Sequence, residues 1–139
     1  MIGLKRIVLL IIISIFTGFI LSGCAAFPAK LVEIIPPPEI FEDTVTSSST
    51  GTVEFTWNWH NRDNESWQLY KLKVYIKYPY HDNYTYTYAD VTQYPPASLT
   101  ISGLTMQGIY NIKLTAILID DRESEFSNTV SVEVYGSAN

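Results

Sequence analysis

The sequence predicts an all-β fold, an antiparallel sandwich of two sheets. Apolar and polar residues alternate along six short runs. Clusters of Gly, Pro, Asn, Asp and Ser separate those runs. No stretch of ten or more residues after Pro38 repeats with a helical period.

The first element is of another kind. "MIGLKRIVLLIIISIFTGFILSGC" has a basic start at Lys5 and Arg6, an apolar run from Ile7 to about Leu21, and then small residues. That is the layout of a secretory signal helix, and the run is short for a membrane span of about 20 residues. Leu21, Ser22, Gly23 and Cys24 resemble the lipobox of bacterial lipoproteins. The resemblance implies a signal peptide over 1–23, cleavage between Gly23 and Cys24, and a diacylglyceryl and palmitate anchor on Cys24. The residue types suit that chemistry: small side chains at 22 and 23 admit a peptidase, and a thiol is a strong nucleophile. Two or more acyl chains hold a protein stably on a membrane. The alternative is an uncleaved helix running on through Phe27. In that family an Asp after the Cys retains the protein at the inner membrane, so Ala25 implies the outer membrane if the source has two. Residues 24–35 are expected to form a tether reaching roughly 40 Å, stiffened at its far end by Pro36–Pro38.

The strands follow. In 52–60, Val53, Phe55, Trp57 and Trp59 share one face. In 70–78, Tyr70, Leu72, Val74, Ile76 and Tyr78 share one face, while Lys71, Lys73, Tyr75 and Lys77 take the other. In 84–88 Tyr and Thr alternate. Leu99 and Ile101 point one way in 98–102. Tyr110, Ile112, Leu114, Ala116 and Leu118 are in register in 109–118, as are Val130, Val132 and Val134 in 129–134. Short, regularly spaced strands with one buried face suit an antiparallel sandwich.

"SLTISGLTMQGIYNIKLTAILIDDRESEFSNTVSVEV" (98–134) resembles the last three strands of a fibronectin type III domain. Leu104 and Tyr110 have the spacing of that family's tyrosine corner, and "ESEFSN" (123–128) resembles the Ser-x-x-Ser stretch that opens its last strand. Trp57 fits the core tryptophan of the second strand, and 70–78 fits the third. The resemblance implies a seven-stranded immunoglobulin-like sandwich over 36–135, followed by a tail at 136–139. It also implies that the Tyr110 ring is buried while its hydroxyl bonds the backbone upstream. Gly108 sits one place later than the family's usual Pro-Gly.

Charge and composition exclude several functions. The net charge is −5, and removing Lys5 and Arg6 leaves seven basic residues against 14 acidic ones. Such a balance argues against nucleic-acid binding. One cysteine forms no internal disulfide and no thiolate metal site. Asp120, Asp121, Glu123 and Glu125 lack calcium-loop spacing, and His60 and His81 lack zinc or catalytic spacing. No catalytic residue, metal or cofactor is expected.

Six of the ten tyrosines lie between Tyr78 and Tyr94. Tyr84, Tyr86 and Tyr88 either pair with neighbouring strands or form an exposed stripe that binds a sugar or protein. The expected function is a lipid-anchored, non-enzymatic binding module of the cell envelope, with an envelope protein or polysaccharide as partner. The alternative is a structural spacer or accessory subunit of an envelope assembly.

Overall fold

Period-two alternation sorts the side chains into a shared core and two outer faces. The computed structural model describes residues 33–61 and 63–135. The expected signal helix, the Gly23–Cys24 cleavage site, the Cys24 anchor, most of the tether and the tail lie outside the described residues.

The strands are β1 (Glu39–Ile40), β2 (Thr46–Ser47), β3 (Val53–Asn58), β4 (Leu69–Lys77), β5 (Tyr84–Asp90), β6 (Ala97–Ile101), β7 (Gly108–Leu118) and β8 (Val130–Val134). All pairings are antiparallel. One sheet is centred on β3, with β1 and β2 along one edge and β6 along the other; the second has the order β5-β4-β7-β8. Among the described residues eight strand segments stand where seven were expected. A 3-10 turn at Glu42–Thr44 interrupts the first edge strand, so β1 and β2 meet β3 at registers Ile40↔Trp57 and Thr46↔Glu54.

Both sheets feed one core. Phe55, Trp57 and Trp59 meet Leu72, Val74, Tyr110, Ile112, Leu114 and Val134 there. Burying each such side chain contributes about 1.5–3 kcal/mol, which offsets the ordering of the chain without a disulfide. The compact unit begins at Ile34. Ile35, the last residue assigned to the tether, is only 5% exposed, and its carbonyl accepts a bond from the Glu125 N–H at 3.1 Å.

The tyrosine corner forms despite the shifted glycine. The Tyr110 hydroxyl donates to the Met106 carbonyl at 2.9 Å and accepts from the Met106 N–H at 3.0 Å. Gly108 opens β7 at φ 134°, and a Cβ there would meet Pro79 at 2.9 Å.

The Ser-x-x-Ser stretch closes the entry to β8 with backbone and side-chain bonds together: the Ser124 and Ser127 N–H groups donate to the carbonyls of Ala116 and Leu114 at 2.9 and 2.8 Å. Ser124 Oγ and Ser127 Oγ accept from the N–H groups of Ala116 and Leu114, each at 2.8 Å. Asn128 then joins the two sheets. Its amide accepts from the Ile40 N–H at 2.8 Å and donates to the Ile40 carbonyl at 2.9 Å.

One expected side-chain direction is reversed. Tyr70, placed by alternation on the inner face of β4, is 57% exposed. The β4–β7 register shifts between Leu69 and Lys71, and this irregularity interrupts the alternation at Tyr70.

Candidate functional site

The outer face of the β5-β4-β7-β8 sheet gathers aromatic rings and lysines. Cross-strand register fixes who meets whom: Tyr84, Tyr86 and Tyr88 of β5 lie opposite Lys77, Tyr75 and Lys73 of β4. On the other side of β4, Tyr75 lies opposite Lys113 of β7. Residues opposite one another share a face, so Lys71, Lys73, Tyr75 and Lys77 of β4, Lys113 of β7 and the even residues of β5 lie on the outer face.

The three tyrosines named from the sequence each carry a lysine over the ring. Lys113 Nζ is 4.4 Å from the Tyr84 centroid, Lys73 Nζ is 4.4 Å from Tyr86, and Lys71 Nζ is 4.4 Å from Tyr88. These are cation–π distances. The rings also touch one another: Tyr86 lies 5.8 Å from Tyr88 and 5.9 Å from Tyr75. Phe126, from the segment before β8, meets Tyr75 edge-on at 5.0 Å and lies beneath Lys113 at 3.6 Å. Tyr86 and Tyr88 remain 58% and 51% exposed. The rings therefore pair with neighbouring strands and still present surface. Thr85 and Thr87, on the other side of β5, are exposed too. From Thr85 to Tyr88 β5 thus stands out with both faces open, while Ala89 near its end packs against the core.

Glu123 anchors one side of this array. Its carboxylate accepts from Thr115 Oγ1 at 2.6 Å and Tyr75 OH at 2.8 Å, and it pairs with Lys73 at 3.4 Å. Burial pushes its pKa up, but those hydrogen bonds and the lysine charge outweigh it and hold the carboxyl below its ordinary value. The Tyr75 hydroxyl is pushed up, mainly by burial. The Lys73 ammonium is held above its ordinary value by the neighbouring Tyr75 hydroxyl, then by Glu123.

The sequence placed Lys71, Lys73, Lys77 and Tyr75 on one face of β4 but did not link them to the β5 tyrosines. Lys113 and Phe126 were missed. The parity of Lys113, opposite to Tyr110 and Ile112, was the available signal for it. Phe126 carried none, because it lies in an irregular segment.

Other places hold less. His60 pairs with Glu39 at 2.8 Å on an exposed surface. A cavity of about 290 Å3 is lined by Asn58, Trp59, His60, Pro95 and Pro96, and the buried Trp59 Nε1 has no hydrogen-bond partner. Asp120 pairs with Arg122 at 2.7 Å. No group of three His, Cys, Asp or Glu that could hold a metal ion occurs among the described residues. No helix among them is long and apolar enough to cross a membrane.

No protein-family model matches the chain, and no curated protein matches it. Solved structures do share its fold. A structure titled "Myokine structure" is similar with a TM-score of 0.53 at 14% identity, over 74% of this chain and 99% of that one. A β-1,2-glucanase from Parabacteroides distasonis is similar with a TM-score of 0.51 at 20% identity, over 74% of this chain. The match spans 13% of the glucanase. At these identities the likeness shows a β-rich fold and nothing of activity.

Proposed function

We propose that this chain is a lipid-anchored, non-enzymatic binding module of the cell envelope. Cys24 carries the anchor, and the domain meets its partner, an envelope protein or polysaccharide, with the tyrosine–lysine face. In a source with two membranes the anchor sits in the outer one. The face carries the reading: half-exposed tyrosines, ordered by lysines at 4.4 Å, form a rigid amphipathic surface that the core does not require. The Leu21-Ser22-Gly23-Cys24 stretch supports the anchor.

Mass spectrometry of the native protein tests the anchor: an acylated Cys24 is expected at the amino terminus, and an intact, unmodified leader overturns it. A photocrosslinking residue at position 88 tests the face in intact cells. Adducts are expected there and not from a control at exposed Thr50. Equal adducts at both positions would remove the face from the reading.

One observation favours the second reading, an accessory subunit or spacer. Among the described residues β5 is an edge strand with one side unpaired, a place where another chain can pair. Co-purification with an envelope complex at fixed stoichiometry would favour it, and a solitary monomer in detergent would count against it.

A further inference from the structure

Resting on the binding reading above, we propose that the tyrosine–lysine face takes an anionic polysaccharide, a chain of sugar rings bearing carboxylates, laid along β5. The first argument is charge. In a chain of net charge −5, all four lysines among the described residues lie on this one face: Lys71, Lys73, Lys77 and Lys113. Only Lys73 has a carboxylate within ion-pair distance; the other three have none among the described residues. An ammonium resting on a ring keeps its full charge, because the ring is neutral. The acidic residues beside these lysines are Glu123, already engaged by Lys73, Tyr75 and Thr115, and Asp90, opposite Lys71 at the end of β5; a third on the outer side of this sheet, Glu133 of β8, accepts from the Tyr135 hydroxyl and stands beyond β7 from the β5 tyrosines. The lysines between them remain available to an anion.

The second argument is shape. Tyr86 and Tyr88 present half-exposed rings with polar tips, the geometry on which the apolar face of a sugar stacks. The cavity lined by Asn58, Trp59, His60, Pro95 and Pro96 lies away from this face. A peptide partner needs sockets for its side chains, whereas a chain of rings needs a platform. The seven residues of β5 extend about 20 Å, room for several sugar units in a row. Aromatic platform and unpaired lysines together select a sugar chain that is also an anion.

The test is affinity electrophoresis of the full chain in detergent, with polygalacturonate as probe and dextran and poly-L-glutamate as comparisons. Retardation by polygalacturonate alone is expected. It should weaken as salt rises and fall about fivefold or more for Lys71→Gln with Lys113→Gln. Tyr88→Leu, at a half-exposed position, should weaken it by a similar factor with the thermal midpoint little changed. Equal retardation by dextran would overturn the role of charge. Equal retardation by poly-L-glutamate would overturn the polysaccharide in favour of an acidic protein. No retardation by polygalacturonate would overturn the inference outright; crosslinks from position 88 in cells would then leave the broader binding reading standing.

Discussion

Tyr110 does two jobs with one side chain. Its ring fills the core, edge-on to Tyr78 at 5.3 Å, and its hydroxyl satisfies both polar groups of Met106. Tyr110→Phe keeps the ring and orphans those groups. A loss of about 1–3 kcal/mol is expected, read as a lower urea midpoint with an unchanged slope. Glu123 makes a pH-dependent contribution. Its folded pKa lies below the ordinary value of 4.5, so its stabilisation is fully present above that value. It is lost as pH falls through the lower, folded value. Glu123→Gln should therefore lower the thermal midpoint at pH 7, and the gap to the parent should close as pH falls below 4.5 and through the lower, folded value. A gap that stays constant over that range would refute the role. At this scale the sequence was legible where a side chain has a fixed local task. Tyr110, Ser124 and Ser127 act on backbone groups a short distance along the chain. Tyr70 was not legible, because the register irregularity that turns it outward depends on a strand far away.

Alternation made each long strand readable, since one wrong parity would put an entire apolar set into water. The faces of β3 and β8 match their patterns throughout, and β7 alternates as far as Leu114, after which Thr115 and Ile117 are buried as well. The first edge strand was not readable, because its two-residue pieces are too short to show a period. Turns that join elements are sensitive to a single atom. Gly51 has φ 71°, and a Cβ there would lie 2.3 Å from the Leu104 carbonyl oxygen. The Gly51 carbonyl in turn accepts from the Leu104 N–H at 3.0 Å, which ties the turn before β3 to the end of β6. Gly51→Ala should cost about 2 kcal/mol or more, from backbone strain and the forced shift of Leu104. Denaturant titration with comparison to Gly103→Ala, where open space surrounds the added methyl, separates the two causes.

The whole domain stands on one apolar interior. Trp57, 2% exposed, lies at its centre, and Trp57→Ala should cost about 3–5 kcal/mol by equilibrium unfolding. Length and composition foretold such an interior, and the strand pattern foretold its residues. The candidate site was only half foretold. Tyr84, Tyr86 and Tyr88 stand out in the sequence, but their lysines arrive from β4 and β7, and only strand order brings these together. Net charge was silent on this face: an acidic total conceals the place where the lysines collect. The Asn128 amide, finally, sets how the domain meets mechanical load. It grips Ile40 across 88 positions of chain. Ahead of it toward the amino terminus stands the Glu125–Ile35 bond, and beside it the two-residue ladder of β1. A pull arriving from that end meets these few bonds one after another, so the entry segment peels away first, while the long β4–β7 seam stays shut.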